Sequence, residues 1–194
     1  SGGLVGSEMC IRDRIIFGKI NPSGKLPLTV ARTVGQLKMF YNHKHSMYFR
    51  DYAMQTNKPL YSFGFGLSYT KFHISEPKLN SSKFKKGVLS VSVDVKNIGE
   101  ISGDEIVQLY ISDKYSSITR PVKELKAFQR VSLKPGESKE IVFELNKSAF
   151  AFYDSDMNYI VEAGDFDILV GNSSRDEDLK NVIFNVEKTF YLRD

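Results

Sequence analysis

The acidic and imidazole side chains are where chemistry would have to come from, and their spacing argues against most of it. Glu105, Glu124, Glu137 and Glu162 stand singly in strand-like or turn-like surroundings, and Asp176-Glu177-Asp178 is a short charge run. A working carboxylate pair needs burial that separates the two pKa values, so these acids are expected to be solvated surface groups. His43 and His45, two apart, could share one face of a strand and hold a metal, but no Cys, Asp or Glu accompanies them at ligand spacing. Asp154-Ser155-Asp156 lacks the spaced ligands and terminal bidentate Glu of a calcium loop. Gly24-Lys25 lacks the earlier glycine and the following Ser or Thr of a phosphate loop, and Gly64 and Gly66 lack the third glycine of a dinucleotide fingerprint. No serine stands in a G-x-S-x-G elbow. The expectation is therefore no catalytic residue, no metal ligand and no cofactor, with substrate-binding residues unidentified.

The elements that would have to position any site are mostly strands. Leu89, Val91, Val93 and Val95 alternate with Ser90, Ser92 and Asp94, which predicts a half-buried strand bounded by Asn97 and Gly99. Ile106 to Ile111 is apolar on both faces, as a central strand would be. Leu125 to Leu133 closes on a Pro135-Gly136 turn, and Ile141, Phe143 and Leu145 alternate with Glu140, Val142 and Glu144. Phe150 to Tyr153 and Asn158 to Val161 flank a turn at Asp154 to Asp156, a hairpin signal. Phe166, Ile168 and Val170, then Val182, Phe184 and Val186, repeat the alternation, and Phe72 to Pro77 leads in. Seven or eight such strands without a long helical pattern predict a β-sandwich over 74–194.

The region before it differs. Through His73 there are 10 Lys and Arg against 3 Asp and Glu; from Ile74 onward there are 17 against 20. The basic excess belongs to a short segment with helix and turn signals: a helix tail at Ile15 to Phe17 ended by Gly18, a turn at Asn21 to Gly24, and a short strand at Leu26 to Val30. No basic face with a recognisable nucleic-acid module is present. No run of 18 apolar residues spans a membrane, the N-terminus has no signal-peptide order, and the single Cys10 forms no internal disulfide. Between the two regions, residues 59–73 carry Tyr61, Phe63, Phe65 and Tyr69 around Gly64 and Gly66. That composition buries large rings while letting the backbone approach another surface closely.

Three stretches carry a specific likeness. PLYSFGFGLSYTKF (Pro59 to Phe72), NPSGKLPLT (Asn21 to Thr29) and DEIVQLYISDKYSSITRPVKELKAFQRVSLKPGES (Asp104 to Ser138) resemble signature blocks of glycoside hydrolase family 3, the β-glucosidases and their relatives. The resemblance runs from about Ile15 to Asn172. It implies a mainly β chain: a fibronectin type III-like sandwich preceded, over 15–58, by an incomplete C-terminal remnant of the family's α/β sandwich domain, with 59–73 as linker. Residues 1–14, SGGLVGSEMCIRDR, depart from the pattern and are expected to be foreign to the fold or a diverged loop. Ala127, Tyr159 and Ala163 stand where the family more often has Gly, Trp and Pro, which touches only local packing.

The resemblance further implies a parent that is a retaining β-glycosidase, most like the periplasmic β-glucosidases, acting on β-linked oligosaccharides. Its nucleophile and acid/base, ~5–5.5 Å apart in such enzymes, would both lie before residue 15, so the chain alone is expected to be inactive. Phe40-Tyr41-Asn42 and Phe49-Arg50-Asp51 match family elements whose role the sequence does not fix; Arg50 and Asp51 would serve equally as a structural ion pair. Arg120, Pro121, Lys123, Glu124 and Leu125 match the segment that packs against the rest of such enzymes, so docking onto the missing domains is expected there, without nucleic acid or a membrane span. The parent would be periplasmic or extracellular. A stand-alone sandwich module binding carbohydrate or a protein partner is the alternative, and glucosidase and xylosidase parents are not distinguished.

Overall fold

The computed structural model describes residues 11–36, 39–45, 56–84 and 87–192. Cys10 and the Phe49-Arg50-Asp51 element lie outside the described residues. The chain is mainly β, and the alternating segments form strands where the sequence pattern places them. In the first sheet β3 (Val88–Asn97) is central, with β1 (Phe72–Ile74) and β2 (Lys78–Leu79) sharing one edge and β6 (Ser138–Asn146) on the other. The second sheet runs β10-β9-β4-β5, with β4 (Gly103–Asp113) and β9 (Gly164–Gly171) inside and β5 (Glu124–Leu133) and β10 (Leu179–Val186) outside. A small third sheet joins β7 (Phe152–Tyr153), β8 (Tyr159–Val161) and β11 (Phe190–Tyr191).

Period-two patterning explains the core. Leu89, Val91, Val93 and Val95 on β3 lie beside Leu145, Phe143 and Ile141 on β6, and all are buried. Val107, Leu109 and Ile111 on β4 and Phe166, Ile168 and Val170 on β9 supply the facing layer. Phe150 and Phe166 meet edge to face at 5.3 Å between ring centres, closing one end of the core. On β5 the register slips opposite Leu109 and Tyr110, which face Ala127 and Leu125, so Lys126 is the extra residue of a bulge.

The expected hairpin at Asp154 is present, and it explains what the aspartate does. Its Oδ1 accepts from the Asp156 and Asn158 backbone N–H groups and its Oδ2 from the Asn158 side chain, holding a turn in which Met157 takes φ +63°. Those bonds, the Asn158 backbone donor foremost, keep the Asp154 carboxyl below its usual range.

Ahead of the sandwich, a helical turn over 11–16 ends at Gly18, whose φ is +72°. The chain then runs extended, and 26–30 pairs with 60–65: Leu26 N–H donates to Phe65 O, Gly64 N–H to Leu26 O and Val30 N–H to Tyr61 O, each at 2.8 Å. No helix among the described residues is long and apolar enough to cross a membrane.

Candidate functional site

The most concentrated set of buried polar groups lies where the 21–66 segment meets β4. Asn21 accepts at Oδ1 from Ser68 Oγ (3.0 Å) and Tyr69 N (2.8 Å), and donates from Nδ2 to Ser102 O (3.3 Å) just before β4. The Tyr69 hydroxyl donates to Ile15 O at 2.7 Å, tying the linker back to the helical turn. Beside it Asn97 is fully buried and fully used: Oδ1 takes the Thr70 hydroxyl at 2.7 Å and Gly99 N–H, and Nδ2 donates to Ile101 O and Leu133 O.

Next along β4, Glu105 pairs with Lys25 at 2.7 Å, their side chains only 5% and 13% exposed. This corrects the expectation of a solvated acid at Glu105. The strand is covered on both sides, so an acid near its start is buried with the apolar residues and survives only because Lys25 and the Asn172 amide (3.2 Å) meet it. The turn expected at Asn21 to Gly24 is not formed: residues 21–26 run without a turn or bend, Leu26 pairs with Phe65, and Lys25 beside it reaches into the seam. Gln108, also buried, donates from Nε2 to Gly64 O (3.0 Å) and Asn172 O (2.9 Å) and accepts the Tyr110 hydroxyl at Oε1. Gly64 has φ +77°, and a Cβ there would lie 2.0 Å from Gln108 Oε1. Only glycine permits both the turn and the contact.

At the far end of this seam Tyr41 stacks on Phe63 (4.3 Å) and stands edge-on to Tyr110 (5.8 Å). Burial, then the neighbouring Tyr41, pushes the Tyr110 hydroxyl well above its ordinary pKa. The Arg120 to Leu125 segment divides its work. Arg120 turns inward, donating to Asp113, Glu124 and Phe150 O, each at 3.0 Å, with its guanidinium 4.9 Å from the Phe152 ring centre. All these contacts are within the sandwich. Burial raises the Asp113 carboxyl above its usual range although Arg120 opposes it. It is the neighbouring residues that meet the N-terminal segment, with Val122 N–H donating to His43 O (2.9 Å) and Leu125 N–H to the Tyr41 hydroxyl (3.3 Å). Lys123 is buried, donates to Ser174 O at 2.9 Å and pairs with Asp176, while Ser174 N–H donates to Phe63 O.

Between the described residues 29–32, 39–45 and 57–65 and the outer face of β4 and β9 lies a cleft of about 770 Å³. Its acids are occupied: Asp167 pairs with Lys114 (3.3 Å), Asp176 with Lys123, and Glu177 with Lys58 (3.1 Å) and Arg175 (3.3 Å). Asp178, expected to be a free surface acid, is instead held by Ser173 Oγ and Arg175. Glu124 and Glu162 likewise accept bonds, from Arg120 and Ser117 N–H, and Glu137 caps its own turn at Lys134 N–H. His43 and His45 line the cleft, but among the described residues no three His, Cys, Asp or Glu side chains converge as a metal set. The arrangement seats and braces a segment, and the cleft's described acids, Asp167, Asp176 and Glu177, are each ion-paired.

Residues 11–69 match the glycosyl hydrolase family 3 C-terminal domain and residues 105–174 the fibronectin type III-like domain. A putative β-xylosidase of Formosa agariphila is 42% identical over 176 residues, covering 90% of this chain and 23% of its own length. The periplasmic β-glucosidase of Salmonella typhimurium is 39% identical over 171 residues, 82% of this chain and 22% of its own. In structure, a β-glucosidase from Listeria innocua in complex with glucose superposes with TM-score 0.82 at 38% identity, over 90% of this chain and 25% of its own. The chain thus spans about a quarter of the length of these relatives. Matched in both parts and in order, it corresponds to the C-terminal part of a glycoside hydrolase family 3 protein, including the fibronectin type III-like domain.

Proposed function

We propose that this chain is the accessory part of a β-glucosidase-like hydrolase that cleaves β-linked glycosides in the periplasm or outside the cell. In that reading the sandwich clamps the 21–66 segment of the preceding domain and holds it in shape, and the catalytic carboxylates come from outside these residues. The observation that carries the reading is the buried Lys25–Glu105 pair with the Gln108–Gly64 contact beside it. A free-standing module gains nothing from burying charge against a segment that completes no domain of its own. The names of the Salmonella and Listeria relatives support the substrate class, and the former supports the compartment. The test is an aryl β-glucoside assay on the pure chain and on the reassembled parent. Hydrolysis is expected from the parent alone; turnover by the isolated chain would place catalytic groups within it and overturn the reading.

A further inference from the structure

A second, smaller pocket of about 260 Å³ opens where the starts of β3 and η-turn 147–149 meet the end of β10, away from the seam. Its floor is aromatic. Phe84 stands edge-on to Phe184 (5.0 Å between centres) and to Phe190 (6.2 Å). Over these rings sits Lys147, its Nζ 4.1 Å from the Phe190 centre and 5.9 Å from that of Phe84. Half-buried by the rings, this ammonium has no carboxylate within ion-pair distance among the described residues. Among the described lining residues the one acid, Glu187, is taken by Lys83 at 2.8 Å, and Lys188 adds a further exposed cation. The pocket is therefore net positive on a domain whose residues from 74 onward carry 17 cations against 20 anions.

A cation held on ring faces loses part of its hydration and keeps its full attraction for an anion. Phenyl walls meanwhile favour the apolar faces of a sugar ring. At this volume, below the ~300–1,000 Å³ of pockets for drug-sized ligands, one ring fits and a longer chain would project outward. We propose that this pocket binds a carboxylated sugar, a uronic acid unit of an acidic glycan, with its carboxylate on Lys147 and its ring against Phe84 and Phe190. The sugar class rests on the hydrolase reading above; the anion preference rests on the pocket alone.

The test titrates D-glucuronate, D-glucose and acetate into the full 15N-labelled chain and follows the amides around Lys147 and Phe190. Glucuronate is expected to shift them and to bind more tightly than either control. Lys147→Met, which keeps the apolar stem on the rings, should weaken glucuronate about tenfold or more while leaving the unfolding midpoint in place. Glucuronate binding no tighter than acetate overturns the sugar assignment, and binding unchanged in Lys147→Met overturns the pocket. Neither outcome bears on whether the parent hydrolyses an aryl β-glucoside, so the two readings fail separately.

Discussion

Along β4, two kinds of interior lie on opposite sides of one strand. Toward the other sheet, Val107, Leu109 and Ile111 join Leu89, Val91, Phe143 and Phe150 in a packing of hydrocarbon alone. Toward the 21–66 segment, Gln108 and Tyr110 are as well buried, Gln108 held by Gly64 O and Asn172 O and Tyr110 by Gln108, while Glu105 at the strand's start is met by Lys25 and Asn172. The first interior is non-directional and tolerant of exchange among similar shapes. The second is specific, because each polar group is met by directed bonds from named partners, and a group left unmet there costs more than its bond contributed. The sandwich holds itself together with the first and recognises its neighbour with the second.

The comparison breaks most visibly in the hydrocarbon. Phe150→Ala removes a fully buried ring that meets Phe84, Phe166 and Phe184, and should cost about 3–5 kcal/mol in urea unfolding. Both parts of the chain should then lose structure together, since the seam has no other support. Retention of native stability would mean that the core ring is not packed as described.

Breaking the seam should be a smaller and more local event. Lys25→Ala strands Glu105, but the Asn172 amide and the Ile106 N–H (2.7 Å) still reach the carboxylate. The cost is expected at about 2 kcal/mol, under the ~3–5 of an entirely enclosed pair. Hydrogen exchange should rise in 21–30 and 60–66 while β3, β6 and β9 stay protected. Replacing both partners, Lys25→Met with Glu105→Leu, should recover most of the loss, because an apolar pair of similar volume carries no desolvation cost. If the double variant is worse than the single one, the pair is an energetic asset in itself and the contrast between the two interiors is overdrawn.

That contrast also separates what the sequence discloses from what it hides. Alternation over Leu89 to Val95 and over Phe166 to Val170 is a local pattern, and both segments are strands with the expected face inward. The two-residue strands β2 and β11 are too short to show a period. Glu105 is hard to place from sequence because its partner stands 80 positions earlier, in a stretch whose Gly24-Lys25 suggests a phosphate loop at most. A signal existed: when both faces of a strand are apolar, any acid or amide within it is buried too, and must have a partner. Applied to Glu105 and Gln108, that rule points to a seam. Arg120 is a different case, a motif residue whose three hydrogen bonds all stay inside the sandwich while its neighbours Val122 and Leu125 meet the N-terminal segment.

Asp178 offers the finest test of the seam's outer rim. Burial alone would raise its carboxyl, but hydrogen bonds from Arg175 and Ser173, with the Arg175 and Lys25 charges, outweigh it and hold the group below its ordinary value. The folded state therefore prefers the carboxylate. Its contribution to stability is complete above the unfolded value of about 3.9 and is lost as pH falls through the lower, folded one. Urea midpoints measured from about pH 5 downward should fall for the wild type and fall less steeply for Asp178→Asn, whose amide does not titrate. Asp104, held low through Ser132 and Arg130 against its own burial, and Asp154 titrate in the same direction and remain in both proteins. Asp113, raised by burial, works in the opposite sense, stabilising below its unfolded value and losing that contribution as pH rises through its folded one. Only the difference between the two curves belongs to the 173–178 loop. Superimposable curves would mean that the Ser173 and Arg175 bonds to Asp178 contribute nothing in solution.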